Sequence, residues 1–372
     1  MKMNVLLFED LFLTICLSLN MKQVVCLELI SKYHSLLIRK TTWFLRCDIR
    51  SEQLLNHIIK NYYFKNLSIY RSINVNLYMD YLKNCHILDL SWTNVTDVSA
   101  LTNCYTLNLY STKVTDVRAL TNCHTLNLSY ANVTDVSALT NCHTLYLSHT
   151  NVTDVSMLNC HTLNLRNTKV IDVSALNCHT LDLSYTKVSD VNALTNCHTL
   201  NLSCTKVTDV SGLKNCHTLN LSGTNVTNVS ALKNCYELNL SCTNVTDVSA
   251  LKNCHTLNLR STQVTDVSAL TNCYELNLSD TNVIDVSALK NCHTLDLSCT
   301  KVTDVSALTN CHTLDLRNTN VTDVSMLNCH TLDLSFTNVT NVSALTNCHH
   351  LNLYNTKVTD VSALKNCDIK RN

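Results

Sequence analysis

Residues 292–310 read Cys-His-Thr-Leu-Asp-Leu-Ser-Cys-Thr-Lys-Val-Thr-Asp-Val-Ser-Ala-Leu-Thr-Asn, and close copies of this stretch fill about three quarters of the chain. Its first cysteine recurs every 18 or 19 residues, at positions 85, 104, 123, 142, 160, 178, 197, 216, 235, 254, 273, 292, 311, 329, 348 and 367. Residues 85–366 therefore form fifteen similar units, which we number from the cysteine as position 1. A short fixed period of this kind is typical of a solenoid, in which each unit buries its apolar side chains against its neighbours.

The order of apolar residues within a unit is also distinctive. Cysteine at position 1, leucine at positions 4 and 6, threonine at position 9 and valine at position 11 resemble the leucine-rich repeat L-x-x-L-x-L-x-x-N-x-L. Positions 3–7 alternate polar and apolar, which predicts a short strand with Leu295 and Leu297 facing inward. The segment from Thr303 to Leu308 resembles the outer turns of internalin-type repeats and leaves little room for an α-helix. We predict an α/β solenoid with a curved parallel sheet, a 3₁₀ or extended outer face and a small helical domain before it.

That helical domain is predicted over residues 1–47, which lack the repeat. The stretch Leu7-Phe8-Glu9-Asp10-Leu11-Phe12-Leu13-Thr14-Ile15, followed by Ile30-Ser31-Lys32-Tyr33-His34-Ser35-Leu36-Leu37, resembles an F-box, with Phe8 where proline is usual. The resemblance implies that these helices bind a Skp-type adaptor of a cullin-RING ubiquitin ligase. The residues that would contact the adaptor are Leu7, Asp10, Leu11, Ile15, Leu19 and Ile30. An F-box followed by leucine-rich repeats is the order of ubiquitin-ligase substrate receptors, and similar proteins occur in amoeba-infecting giant viruses.

Two other interpretations of the N-terminal segment remain open. A helical cap over the first repeat unit would carry the same apolar spacing without binding an adaptor. A signal peptide would also begin with Lys2 and an apolar run, although Glu9 and Asp10 interrupt that run. Residues 48–84 are expected to lead into the solenoid, with Phe64, Leu67 and Ile69 in a degenerate first strand. Residues 85–372 are the array, and its truncated sixteenth unit ends in charges that should discourage the addition of another strand.

Composition and charge favour an intracellular protein without a nucleic-acid or membrane partner. The chain has 28 basic and 28 acidic residues, and it contains neither a basic run nor an apolar stretch of about 18 residues. Sixteen of its 22 cysteines occupy position 1, which faces the core. We therefore predict a buried ladder of reduced thiols rather than a set of disulfides.

The Cys-His pair in most units could indicate a metal site, but neighbouring residues of a strand point to opposite faces. We predict no metal, and instead a stacked row of histidines at position 2, with Tyr105, Tyr236 and Tyr274 in three units. Threonine at position 9 and aspartate at position 13 recur in nearly every unit, so we expect them to stabilise turns. Repetition offers no unique catalytic constellation, and we predict neither an enzyme nor a cofactor.

Function should lie where the units differ, which is mainly at positions 5, 7 and 8 on the outward, concave side of the sheet. Tryptophan, tyrosine and arginine are common in binding hot spots. The predicted partner-binding residues are Trp92, Tyr110, Tyr130, Tyr146, His149, Arg166 and Tyr185, with a second group of Arg317, Phe336 and Tyr354. Two functions are consistent with this pattern: a ubiquitin-ligase substrate receptor that holds a target protein, and a stand-alone binding scaffold or adhesin.

Overall fold

The computed structural model describes residues 46–61 and 64–371, which form two compact units that divide after Lys169. Each unit is a stack of parallel strands that follow one another in chain order. The sequence repeat sets this arrangement, because equivalent apolar positions in consecutive repeat units can be buried together only when the strands pair in register.

The first unit contains seven strands and both of the described α-helices. It opens with β1 (Arg46–Ile49), α1 (Glu52–Asn61), β2 (Asn66–Ile69), a 3₁₀ helix (Val75–Tyr78) and α2 (Met79–Leu82). The repeat strands follow as β3 (Ile87–Asp89), β4 (Thr106–Asn108), β5 (Thr125–Asn127), β6 (Thr144–Tyr146) and β7 (Thr162–Asn164). Each strand pairs in parallel with the next.

The second unit contains only repeat strands. They are β8 (Thr180–Asp182), β9 (Thr199–Asn201), β10 (Thr218–Asn220), β11 (Glu237–Asn239), β12 (Thr256–Asn258), β13 (Glu275–Asn277), β14 (Thr294–Asp296), β15 (Thr313–Asp315), β16 (Thr331–Asp333), β17 (His350–Asn352) and β18 (Asp368–Lys370). From β8 to β18, each strand pairs in parallel with the next. The outer segments are turns and extended chain, with 3₁₀ helices at Ser249–Leu251 and Ser287–Leu289, which confirms the predicted outer face.

The core repeats from unit to unit. In the unit that begins at Cys292, the side chains at positions 4, 6, 11, 14 and 17 are at most 2% exposed: Leu295, Leu297, Val302, Val305 and Leu308. Burial of one such side chain contributes about 1.5–3 kcal/mol relative to its exposed state. The same five positions are buried in nearly every unit, so the array is held together by contacts between neighbouring units.

The strands are shorter than the sequence predicts. The alternation over positions 3–7 predicts five residues, whereas the structure has strands at positions 3–5 only. The side chain at position 5 explains the difference, because Oδ1 of Asp296 accepts a hydrogen bond from the backbone N–H of Ser298 at 2.9 Å and turns the chain. Cys299 then takes a left-handed conformation with φ of 58°, and the strand cannot continue.

The N-terminal predictions have different outcomes. Leu67 and Ile69 lie in β2, as expected, whereas Phe64 is buried but precedes that strand. β1 is a further strand that the sequence did not predict. The predicted F-box stretch, with Leu7, Asp10, Leu11, Ile15, Leu19 and Ile30, lies outside the described residues. Both described helices follow residue 47. Over residues 46–61 and 64–371, no helix is long and apolar enough to cross a membrane.

Candidate protein-binding surface

The position 1 cysteines form a buried ladder, as predicted. The thiol of Cys123 donates to the carbonyl oxygen of Cys104 at 3.1 Å, and Cys311 contacts Cys292 in the same way. Burial raises the pKa of the Cys123 thiol to about 12, so the group is neutral at physiological pH. Within the described part of the chain, no three His, Cys, Asp or Glu side chains are grouped as metal ligands would be. The ladder is therefore a structural element of the core.

The position 2 rings stack, which confirms the predicted row. In the first compact unit, which ends at Lys169, the row runs through His86, Tyr105, His124, His143 and His161. The ring centroids of His124 and His143 lie 4.7 Å apart, and the two rings are 7° from parallel. A second row extends from His179 to His349. Desolvation within the stack and the neighbouring imidazoles lower the pKa of His143 and of His330.

Threonine and aspartate have the turn roles that the sequence predicts. Fourteen position 9 threonines donate their hydroxyl to the carbonyl oxygen of the position 6 leucine, at 2.6–2.9 Å. At position 13, Oδ1 of Asp304 accepts the N–H of Ser306 at 2.9 Å, which lowers the pKa of that carboxyl. Asn228 makes the same bond to Ser230, so the turn does not require a charge.

Position 5 has a structural role that the sequence analysis missed. Its Asn or Asp side chain accepts the N–H of position 7 in fourteen of the fifteen units. The exception is Tyr146, which cannot make this bond and is 37% exposed. The restriction of position 5 to Asn and Asp elsewhere was the available signal. Tyr146 therefore stands out as a residue kept for a reason other than this turn.

Position 8 is left-handed in every unit, which was also missed. All fifteen residues have positive φ, from 53° at Asn355 to 65° at Gly223. The left-handed conformation costs an L-residue about 1–2 kcal/mol, with less strain for asparagine and none for glycine. The signal was the lack of any β-branched residue at this position, although valine and threonine are abundant in the chain. Large aromatic residues at this position therefore stay exposed on a strained turn.

Four of the predicted partner-binding residues form a continuous group in the first compact unit, which we call the aromatic run: Trp92, Tyr110, Tyr130 and His149. The ring centroids of Trp92 and Tyr110 are 5.3 Å apart, those of Tyr110 and Tyr130 are 5.3 Å apart, and Tyr130 stacks on His149 at 4.2 Å. Trp92 is 59% exposed and Tyr130 is 47% exposed. The last ring is held by Asn167, whose Nδ2 lies 2.8 Å from Nδ1 of His149.

The remaining predicted residues are distributed as follows. Arg166 lies beside Asn167 in the first unit, at the end of the aromatic run. Tyr185 is exposed but belongs to the second compact unit, and so do Phe336 and Tyr354. The ring centroids of Phe336 and Tyr354 are 5.4 Å apart. The guanidinium of Arg317 pairs with Asp315 at 2.6 Å. The second predicted group is thus a single ring pair, while Arg317 has an ionic partner in its own repeat unit.

An open groove of about 590 Å³ lies over the outward face of β12–β18. Three successive aspartates line it, at Asp296, Asp315 and Asp333, and burial raises the pKa of Asp315. Each carboxylate already has partners: Asn277 and Asn352 donate to Asp296 and Asp333 at 3.1 and 2.8 Å, and Arg317 donates to Asp315. The groove floor is a satisfied polar ladder, so the aromatic run is the better candidate for partner binding.

The structure of a leucine-rich-repeat protein from Leptospira interrogans matches this chain with a TM-score of 0.72, at 20% sequence identity, over 87% of this chain and 99% of that one. The chain has the leucine-rich-repeat fold. A functional domain of InlJ from Listeria monocytogenes, which includes a cysteine ladder, matches with a TM-score of 0.53 at 20% identity, over 80% of this chain and 70% of that one. No protein-family model and no curated protein matches the sequence.

A third leucine-rich-repeat structure is known together with its ligand. The ectodomain of the Arabidopsis thaliana receptor kinase GASSHO1/SCHENGEN3, in complex with CASPARIAN STRIP INTEGRITY FACTOR 2, has a TM-score of 0.59 at 16% identity. The match covers 83% of this chain and 49% of that ectodomain. At these identities the comparisons establish the leucine-rich-repeat fold and nothing finer.

Proposed function

We propose that this leucine-rich-repeat chain is a protein-binding scaffold, and that the aromatic run with Tyr146 is the centre of its partner surface. The observation that carries the proposal is the unbroken ring contact from Trp92 to His149, in which three of the four rings occupy the left-handed position that disfavours large side chains: Trp92, Tyr130 and His149. Asn, Asp or Gly at these positions would relieve the backbone, as they do at Asn167, Gly223 and Asp280. Retaining exposed rings at that cost supports a binding role.

The environment of the aromatic run also suits a protein partner. Exposed tryptophan and tyrosine rings bury a large area on binding while their N–H and O–H groups still form hydrogen bonds. Tyr146 lies on β6, between β5 and β7, and replaces the Asn or Asp side chain that the turn uses in the other repeat units. The plant ectodomain in complex with its ligand gives independent support for protein recognition by this fold.

The test is site-specific photo-crosslinking. A benzoylphenylalanine residue in place of Tyr130 should capture a discrete protein from cells of the source organism. Benzoylphenylalanine in place of Phe336, in the second compact unit, serves as the matched control. Trp92→Ala with Tyr130→Ala should weaken binding of the captured protein by about 2–4 kcal/mol, because these are expected hot spots. Capture at Phe336 alone would assign the surface to the other ring pair.

A finer version of the function is a substrate receptor of a cullin-RING ubiquitin ligase, which would act inside the cell. It rests on the F-box resemblance of Leu7 to Ile15 and of Ile30 to Leu37. In that role the N-terminal segment binds a Skp-type adaptor and the repeats hold a target protein for ubiquitylation.

Co-purification with a purified Skp-type adaptor tests this role. Leu11→Asp should abolish the complex, because an unpaired charge at an apolar interface costs several kcal/mol. The variant should retain the wild-type circular dichroism of the repeats. If the wild-type protein binds no Skp-type adaptor, the ligase role is excluded while the scaffold function stands.

A further inference from the structure

A row of lysines crosses the second compact unit at position 18, two residues before the next ladder cysteine. We call it the lysine row: Lys214, Lys233, Lys252 and Lys290. All four side chains are exposed, and they occur in four of five successive repeat units, with Thr271 in the remaining one. Neighbours in the row are 19 or 38 residues apart in the sequence, so the charges come together only when the repeat units stack.

The backbone beneath the lysine row is held at a regular spacing. The carbonyl oxygen of each lysine accepts a hydrogen bond from Nδ2 of the asparagine that ends the next repeat unit, at 3.1–3.5 Å: Asn234, Asn253, Asn272 and Asn310. The position 2 rings from His217 to His293 give the distance between neighbouring repeat units, which is 4.6–5.0 Å. Four such steps separate Lys214 from Lys290, so the lysine row is about 19 Å long.

The ammonium groups of the lysine row form no ion pair among residues 46–61 and 64–371. By contrast, Lys83, at the equivalent place before the first ladder cysteine, pairs with Asp80 at 3.2 Å. Position 13, five residues before position 18, is aspartate in most repeat units, but it is Asn228 in the repeat unit of Lys233. The centre of the lysine row therefore has one acidic neighbour fewer than its ends.

The position 2 rings follow position 18 by three residues and present their edges to solvent. Tyr236 and Tyr274 are 39% and 40% exposed, yet each is stacked on both of its neighbours. The exposed part of each ring is therefore the edge that carries the hydroxyl. Single-stranded nucleic acids stack their bases on open ring faces, whereas a carboxylate needs only a donor such as a hydroxyl or an ammonium group. The surface thus suits carboxylates better than bases.

Two acidic residues define one side of this surface. Glu237 and Glu275, at position 3, directly follow Tyr236 and Tyr274 and are exposed. In chain order, the row of rings separates these carboxylates from the lysines. Like charges repel, so an anionic partner is expected on the lysine side of the rings.

We propose that the lysine row, with the hydroxyls of Tyr236 and Tyr274, is a docking surface for an acidic, extended segment of a partner protein. An extended chain advances about 3.3 Å per residue, so about six residues cover the row. The flexible stems of the lysines let each ammonium group reach carboxylates on either side of that segment. A single exposed ion pair contributes little, so the segment must carry several carboxylates in succession. This surface belongs to the second compact unit and does not depend on the aromatic run, which belongs to the first.

The test is fluorescence anisotropy of a labelled peptide of ten glutamates, titrated with the full chain. Binding should saturate, and it should weaken about tenfold or more between about 20 and about 300 mM NaCl, because salt screens exposed charges. Lys233→Glu with Lys252→Glu should weaken binding about tenfold or more. The matched control is Lys206→Glu with Lys301→Glu, the same change of charge at two exposed position 10 lysines of the second compact unit, which should leave binding unchanged.

A second pair of variants adds charge instead of reversing it. Thr271→Lys fills the gap in the lysine row and should strengthen binding about threefold. Thr121→Lys adds the same charge at position 18 of the first compact unit and should leave binding unchanged. Trp92→Ala with Tyr130→Ala should also leave it unchanged, which separates this test from that of the aromatic run.

Three results would overturn the proposal. The first is that the glutamate peptide does not bind at low salt, and the second is that the variants of the lysine row have no larger effect than their matched controls. The third is tighter binding of a twelve-nucleotide oligothymidylate than of the glutamate peptide, which would assign the lysine row to nucleic acid.

Discussion

The hydroxyl of Thr300 donates a hydrogen bond of 2.6 Å to the carbonyl oxygen of Leu297, three residues earlier in the same repeat unit. The backbone N–H of Thr300 donates to the same oxygen at 3.2 Å. Thr300 thereby closes the turn around the left-handed residue Cys299. The threonine hydroxyl makes this bond in fourteen repeat units, and Ala131 is the only residue at this position that lacks the hydroxyl.

Thr300→Val should destabilise the protein by about 1 kcal/mol, because it removes a buried hydrogen bond while preserving the shape of the side chain. Ala131→Thr is the converse change, since a threonine there could donate to the carbonyl of Leu128, which already accepts the N–H of Ala131 at 3.0 Å. It should stabilise the protein by a similar amount. Equilibrium urea unfolding measures both. Equal midpoints for all three proteins would contradict this role of the hydroxyl.

The left-handed position 8 can be tested at Cys242, which is exposed and has φ of 56°. Cys242→Val should destabilise the protein by about 1–2 kcal/mol, because a β-branched side chain is poorly accommodated in this conformation. Cys242→Gly is the matched change without a side chain and should be neutral or stabilising. A valine variant as stable as the glycine variant in urea would show that the turn adapts without strain.

The cysteines should divide into two classes in their reaction with iodoacetamide at pH 8. Burial raises the pKa of ladder thiols such as Cys123 and Cys197 to about 12, so they are both inaccessible and protonated. Cys204, Cys242 and Cys299 are exposed and should be labelled within the first minutes. Mass spectrometry of the labelled peptides gives the rate at each site, with urea-unfolded protein as the control. Ladder thiols that react as fast as Cys242 in native protein would contradict a packed ladder.

The stacked rows should make the fold sensitive to acid. Because desolvation within the stack and neighbouring imidazoles lower the pKa of His143 and His330, the folded state favours their neutral forms. Their stabilising effect is present above the unfolded-state pKa of about 6.5 and is lost as the pH falls through the lowered folded-state values. The melting temperature should therefore fall between pH 7.5 and pH 5.

His143→Tyr combined with His330→Tyr should reduce that fall, because tyrosine stacks at this position in three natural units and does not titrate in this range. The melting temperature at pH 7.5 should change little. If the double variant loses as many degrees as the wild type between the two pH values, other groups are responsible for the acid sensitivity.

The sequence by itself determined the repeat architecture, because a period of 18–19 residues with fixed apolar positions can be buried only by stacking in register. It therefore predicted the buried cysteine ladder and the stacked position 2 row, both of which follow from equivalent residues meeting in neighbouring repeat units. It also predicted the turn role of residues such as Asp304, which depends only on a bond within one repeat unit. Residues 1–45, which include the F-box resemblance, were interpreted from sequence alone and are outside the described structure.

Only the tertiary structure decided which variable residues meet. Trp92, Tyr110, Tyr130 and His149 occupy two different repeat positions, and their ring contacts depend on the direction in which the left-handed turn projects each side chain. Polar–apolar alternation predicted a strand through position 7, because it does not register that the position 5 side chain competes with the strand for a backbone N–H. The sequence shows that Tyr146 differs from its fourteen counterparts, but only the structure shows that those counterparts share a hydrogen bond which Tyr146 cannot make.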